Sequence, residues 1–133
     1  MKIAITTVGS RGDLQPFLAL GLGLKNCGYD VLIVSSKNEE LYVKNYGLDF
    51  YAIDVDIQEL MEKNENVQEL TKGNSPIKFI TDHIKSSKNL RSLMVKAQED
   101  IWKATIDADL IIYHPGMPIG FYIAQTYNKK VYF

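Results

Sequence analysis

Short apolar stretches that resemble β-strands alternate along this chain with stretches of helical periodicity, and this alternation constrains the fold more than any other feature. Alternating strands and helices favour a parallel sheet whose strands are joined by crossover helices. Five strands are predicted, at 2–6, 30–35, 49–53, 108–115 and 129–133. Helices are predicted at 14–26, 38–46 and 119–127, the first two of them ended by Gly28 and Gly47. The pattern therefore predicts an α/β fold with a doubly wound parallel sheet of about five strands.

A long polar and helical stretch, 56–107, separates the third predicted strand from the fourth and is more than a plain crossover needs. It is broken by "KGNSP" at 72–76, and its two amphipathic segments are expected to turn their apolar sides to the sheet. Trp102 is expected to pack against the sheet rather than to bind a sugar. A helical insertion of this kind, between strands three and four, is commonly where substrate specificity lies.

Composition limits the class of partner. The 133 residues are 46% apolar, enough for one domain with a real core, and the net charge is −1 without a lysine or arginine block. Neither a nucleic acid nor an anionic membrane is therefore the obvious partner. The single cysteine, Cys27, cannot form an internal disulfide, and the sequence has no secretory segment or apolar run long enough to span a membrane. A cytoplasmic location is expected.

A glycine-rich turn, Gly9-Ser10-Arg11-Gly12, follows the first strand, where phosphate-binding loops commonly lie. The turn has only two glycines, and the second strand ends in Val34-Ser35-Ser36 without the acidic residue that a dinucleotide ribose needs. The Walker pattern is also missing. An NAD site is disfavoured, although backbone amides here could still bind some anion.

Asp13 closes this turn, at the start of the first predicted helix and hence at the carboxyl edge of the sheet, where ligands bind in open α/β folds. One interpretation is a helix cap. The third residue beyond it is Pro16, which has no N–H, so only Gln15 could supply a capping bond and one carboxylate oxygen would be left for another partner. The other interpretation is a functional carboxylate, and both stay open at this point.

Two segments carry a resemblance. "TTVGSRGDLQPFLALGLGLKNCGYDVLIVSS" resembles the opening of the UDP-glycosyltransferases of the GT-B fold, and is most similar to the sterol and glycopeptide glucosyltransferases. "DADLIIYHPGMPIGFYIAQTYNKKVYF" resembles the fourth strand and following helix of the same family. The resemblance implies that residues 1–133 form a single Rossmann-like acceptor-binding domain. The UDP-sugar donor would be bound mainly by a C-terminal donor domain, supplied in cis or as a separate chain.

The resemblance also implies roles for residues. The carboxylate at Asp13 resembles a general base that takes a proton from the acceptor hydroxyl, which then attacks the anomeric carbon of the UDP-sugar with inversion. Gly9, Ser10, Arg11 and Gly12 would position the acceptor or the loop, and Arg11 could instead be an exposed arginine or bond Asp13 or a phosphate. An aspartate at a helix N-terminus is expected to stay ionised.

His114 follows the fourth predicted strand, so it is expected to open onto the same crevice as Asp13. Plant and animal members of the family have a histidine base near the Asp13 position and an orienting aspartate near the His114 position, so the two residue types look exchanged here. An Asp13–His114 catalytic pair is one interpretation, and a half-buried histidine bonded to backbone is the other.

Other features carry less. The two D-x-D triplets, at 54–56 and 107–109, are expected by chance in an acidic chain and predict no metal, and His83 is expected to face solvent. No cofactor is predicted besides the UDP-sugar as co-substrate.

The function expected is hexose transfer from a UDP-sugar to a hydroxyl of a lipid or natural product, with the isolated chain inactive. Peripheral membrane contact stays open, and no nucleic acid is expected. The alternatives are a non-catalytic Rossmann-like nucleotide-binding module and a partner subunit that only binds.

Overall fold

The computed structural model describes residues 1–7, 11–54, 92, 95–114 and 119–132. The strands are β1 (Lys2–Thr6), β2 (Asp30–Ser36), β3 (Asp49–Ile53), β4 (Leu110–Tyr113) and β5 (Lys130–Tyr132). The helices are α1 (Arg11–Asn26), a 3₁₀ turn (Lys37–Glu39), α2 (Glu40–Asn45), α3 (95–105) and α4 (Ile119–Thr126). The bounds of β1 and β3 are those predicted, and β2, β4 and β5 differ from prediction by one or two residues at their ends.

The five strands form one parallel sheet in the order β3-β2-β1-β4-β5. β1 lies at its centre, where Thr6 is in register with Val34 of β2 and Tyr113 of β4. The chain moves outward from β1 in one direction through β2 and β3, and in the other through β4 and β5. The doubly wound Rossmann-like sheet predicted from the sequence is confirmed.

The core has two layers because side chains of a strand alternate between the two faces of the sheet. Ile3 and Ile5 of β1 belong to the layer under α1 and α2, whereas Ala4 belongs to the layer under α3 and α4, and all three are fully buried. Strands covered on both faces need apolar residues at nearly every position, which is why β1, β2 and β4 are continuous apolar runs.

The start of α1 was predicted wrongly. The helix begins at Arg11 rather than at residue 14, so Asp13 lies inside its first turn and is not the residue that caps it. An acidic side chain is favourable in a first turn because the unpaired amides there carry partial positive charge. Pro16 also lies inside α1, where its missing N–H removes the helical bond to the Gly12 carbonyl.

The far end of α1 agrees with the prediction. The helix ends at Asn26, and Gly28 follows with a φ of +85°, a conformation that glycine adopts without a steric penalty. The Gly28 N–H donates to the Lys25 carbonyl at 2.9 Å and the Tyr29 N–H to the Leu24 carbonyl at 3.2 Å. These bonds satisfy carbonyls that the last turn of a helix leaves without partners.

The predicted insertion is described only in part, since residues 55–91, 93 and 94 lie outside the described residues. In α3 the apolar face predicted from the second amphipathic segment is confirmed at Ala97 and Ile101, both fully buried. Trp102 was predicted wrongly: it is 39% exposed, and its indole N–H donates to the Tyr127 hydroxyl at 3.0 Å. The reason is that Trp102 lies about 100° around the helix from Ile101, away from the buried face.

Side-chain bonds tie α3 to the sheet at both ends. At the end of β3, the Asp54 N–H donates to the Asp100 carboxylate at 3.2 Å, and Lys96 pairs with the Asp54 carboxylate. At the other end, the Lys129 ammonium donates to backbone carbonyls of Ile106 and Ala108, in the turn between α3 and β4. Among the described helices, none is both long and apolar enough to cross a bilayer.

Candidate functional site

The order of the strands places the switch point of the sheet at the carboxyl ends of β1 and β4. These two strands are neighbours, but the connections that leave them run in opposite directions along the sheet, and ligands of open α/β sheets bind at such a switch point. Asp13 enters this edge from β1, in the first turn of α1. His114 lies at the same edge, directly after β4. Its backbone N–H donates to the Thr6 carbonyl at 2.9 Å, which extends the β1–β4 pairing by one residue.

The structure brings the Asp13 and His114 side chains together. The His114 Nε2 lies 4.0 Å from the Asp13 Oδ1, and the two side chains are 30% and 43% exposed, respectively. This distance is too long for a direct hydrogen bond but suits an ion pair if the imidazole is protonated. Both side chains are partly open to solvent. Their catalytic roles stay predictions.

Phe17 is a third member of this group that the sequence interpretation missed. Its ring meets the His114 ring edge to face, with centroids 5.9 Å apart and an interplanar angle of 77°. Phe17 lies four residues after Asp13 on α1, so the two share one face of the helix. That spacing was visible in the sequence, but the proximity of His114 was not.

Arg11 contacts α2. Its guanidinium lies over the Tyr42 ring, 5.0 Å from the centroid, and Tyr42 in turn meets Tyr46 edge to face at 5.4 Å. Gly12 is exposed in the first turn of α1, whereas Gly9 and Ser10 lie outside the described residues. Two residues of the predicted turn, Arg11 and Gly12, therefore lie with Asp13 in the first turn of α1. The Arg11 side chain packs against the Tyr42 ring.

Buried hydroxyl groups lie beneath this edge of the sheet. Thr6 ends β1 and Thr7 follows it directly, whereas Ser35 and Ser36 end β2. All four residues are at most 6% exposed. Within the described part of the chain, the Thr6 and Thr7 hydroxyl oxygens have no hydrogen-bond partner. Sequence reasoning did not single these residues out, although hydroxyl residues closing two adjacent apolar strands were a readable signal.

The acidic triplets have structural partners where they are described. Asp54 is paired with Lys96, and the Asp109 carboxylate accepts the backbone N–H of Lys2 at 2.7 Å. Within residues 1–7, 11–54, 92, 95–114 and 119–132, no group of three or more His, Cys, Asp or Glu side chains could hold a metal ion. His83 and Asp56 lie outside the described residues.

Comparison with known proteins identifies a family. Residues 3–114 match the model of the glycosyltransferase family 28 N-terminal domain. The chain is 31% identical over 125 residues to a sterol 3-beta-glucosyltransferase of Debaryomyces hansenii, and 34% identical over 125 residues to one of Pichia angusta. It is 32% identical over 129 residues to the UDP-sugar-dependent glycosyltransferase 52 of Dictyostelium discoideum. These alignments cover 93% to 95% of this chain but only 7% to 9% of the relatives' lengths.

Solved structures share the fold. The Streptomyces glycosyltransferase SsfS6 superposes with a TM-score of 0.67 at 18% identity, over 98% of this chain and 38% of SsfS6. The glycosyltransferase VinC, solved in complex with dTDP, superposes with a TM-score of 0.66 at 18% identity, over 98% of this chain and 33% of VinC. At these identities the likeness establishes the Rossmann-like α/β fold.

Proposed function

We propose that this chain, which belongs to the glycosyltransferase family 28 N-terminal domains, is the acceptor-binding half of an inverting glycosyltransferase. The observation that carries the proposal is the meeting of Asp13 and His114, 4.0 Å apart at the switch point of the sheet. Residues 1–133 form the acceptor domain, and the sugar moved is a hexose from a UDP-sugar. The names of relatives, sterol 3-beta-glucosyltransferase and UDP-sugar-dependent glycosyltransferase, support a lipid or natural-product alcohol as acceptor.

The proposed step is one displacement. The Asp13 carboxylate accepts the proton of the acceptor hydroxyl while the hydroxyl oxygen bonds to the anomeric carbon. The bond between that carbon and the diphosphate oxygen breaks, and UDP leaves with the electron pair. An alcohol is a poor nucleophile until a positioned base shares its proton, and a base typically contributes about 10²- to 10⁴-fold to the rate. The first turn of α1 favours the carboxylate as an anion, and the 43% exposure of Asp13 leaves it within reach of substrate.

His114 orients this step. Its imidazole borders Asp13 and can orient the carboxylate or the acceptor hydroxyl, with its backbone fixed by the bond to Thr6. Gly9, Ser10, Arg11 and Gly12 position the acceptor or the loop. The Arg11 contact with Tyr42 supports the loop role, because it ties the first residue of α1 to α2.

The donor is bound elsewhere. The relatives are many times longer than this chain, which supports a C-terminal donor domain that acts in cis or as a separate chain. The isolated chain is then inactive, because the groups that hold UDP and stabilise the leaving diphosphate are not on it. The reaction needs no cofactor besides the UDP-sugar, and the proposed location is cytoplasmic.

Two measurements test this proposal. Calorimetry with UDP-glucose and the isolated chain should find no binding tighter than about 1 mM, and transfer to a sterol should require an added donor domain. UDP-glucose carries its sugar as the α-anomer, so NMR of the product should find a β-linkage. Micromolar UDP-glucose binding by the isolated chain would contradict the division between the domains, and an α-linked product would contradict inversion.

A further inference from the structure

The backbone of His114 is held firmly, but the backbone alone does not orient the ring. The His114 N–H bonds to the Thr6 carbonyl, and the preceding residue, Tyr113, is in register with Thr6. Rotation about the two side-chain bonds of a histidine would still carry the Nε2 atom away from Asp13. Some other contact has to select the rotamer in which the His114 Nε2 lies 4.0 Å from the Asp13 Oδ1.

The Phe17 ring supplies such a contact. Edge-to-face pairs are directional, because the positive edge of one ring faces the negative face of the other. The pair formed by Phe17 and His114 has that geometry, at 5.9 Å and 77°. Rotation of His114 about its side-chain bonds would break the contact, so the pair favours one rotamer over the others.

Phe17 is itself anchored. It packs against the buried layer under α1, which includes Leu14 and Leu18 on the same helix. Asp13 lies one turn earlier on the same face of α1. A single helix face therefore presents both the Asp13 carboxylate and the Phe17 ring to His114, and α1 holds the spacing between these two side chains fixed.

We infer that Phe17 is a positioning residue, which holds the His114 ring in the orientation that brings its Nε2 atom toward Asp13. The expected effect of Phe17 on sugar transfer rests on the proposed function. The expected effect of Phe17 on the orientation of the His114 ring rests on the contact between the two rings alone. An aromatic pair of this kind favours the rotamer that makes the ring contact by about two- to tenfold over the other rotamers of His114.

The rotamer is measured by NMR on the labelled 133-residue chain. The sequence has two histidines, so His83→Gln assigns the His114 signals. Three-bond couplings and contacts between the His114 and Asp13 side chains give the population of the Asp13-facing rotamer. In Phe17→Leu the ratio of this rotamer to its alternatives should fall about two- to tenfold, whereas Phe17→Tyr, which keeps the aromatic edge, should retain it.

Phe50→Leu is the matched control. Phe50 packs against the same buried layer, but it lies on β3, three positions across the sheet from β4. Its loss removes the same ring volume without touching His114, so the rotamer ratio should not change. If Phe17→Leu does not fold, Phe17→Met replaces it as an apolar side chain of similar size without a ring. An unchanged ratio in the Phe17 variant, or an equal fall in Phe50→Leu, would overturn the inference.

Kinetics separates this inference from the proposed function. In an enzyme that joins this chain to a donor domain, Phe17→Leu should lower kcat about two- to fivefold with little change in acceptor KM, and should add nothing further in a His114→Ala background. A kcat loss that persists in the His114→Ala background would overturn positioning through His114. Full turnover by His114→Ala would instead contradict the orienting role of His114 in the proposed function. The rotamer ratio measured by NMR would then still test whether Phe17 positions the His114 ring.

Discussion

Replacing Asp13 with asparagine and His114 with alanine, singly and together, measures how much each side chain contributes to sugar transfer. Asparagine keeps the shape of aspartate but cannot accept the proton of the acceptor hydroxyl. If Asp13 is the base, kcat of Asp13→Asn should fall about 10²- to 10⁴-fold. The acceptor KM should change less, because the base acts mainly in the transition state.

The distance between the two side chains limits the contribution of His114. Two unit charges 4 Å apart attract by about 1 kcal/mol in water and about 4 kcal/mol near a protein surface. Here the distance is 4.0 Å, and the side chains are 30% and 43% exposed, so solvent screens the pair. Exposed polar contacts of this kind typically contribute up to about 1 kcal/mol, so losing the orientation that His114 gives the carboxylate should lower kcat of His114→Ala by at most about fivefold. In the Asp13→Asn background the carboxylate is gone, and His114→Ala should then cost less than about twofold.

The assay is steady-state transfer from UDP-glucose to a sterol by an enzyme that joins this chain to a donor domain. Asp30→Asn is the matched control, since Asp30 is an exposed carboxylate at the amino end of β2, on the opposite edge of the sheet. Its kcat should equal that of the wild type. Turnover of Asp13→Asn within tenfold of wild type would refute the base assignment. Additive losses in the double variant would refute the coupling of the two side chains.

Three further predictions concern the fold. Lys129→Met should lower the free energy of unfolding by about 1–3 kcal/mol in urea, because two backbone carbonyls between α3 and β4 lose their donor; no change would contradict that role. Gly28→Ala should destabilise by about 1 kcal/mol because its φ is +85°, whereas Gly23→Ala, with open space around its new methyl group, should stabilise by about as much; equal effects would contradict the conformational argument. The Lys96 hydrogen bond and charge lower the pKa of Asp54 from its ordinary 3.8, so this pair stabilises the fold above that pH and the stabilisation is lost as the pH falls below it. Lys96→Met should therefore weaken the loss of stability measured from pH 5 to pH 3, and an unchanged slope would show that the pair contributes nothing.

Much of the fold could be predicted from local patterns. β1 and β3 have the predicted bounds, and the apolar runs of the inner strands are buried on both faces of the sheet. The reason is that strand and helix periodicities are local properties that a short window records. The start of α1 was missed because the turn residues Arg11 and Gly12 carry no helical periodicity, yet they adopt helical dihedrals in the first turn.

The sequence by itself determined that Asp13 follows the first strand, at the end of a stretch rich in glycine, and that His114 follows another strand of the same sheet. Only the tertiary structure decided that these strands are neighbours, that the two side chains stand 4.0 Å apart, and that Phe17 lies against the histidine ring. The distinction has a physical cause. Which strands pair, and how α1 packs across them, depends on the burial of two apolar layers contributed by the whole chain, and no local window contains that balance.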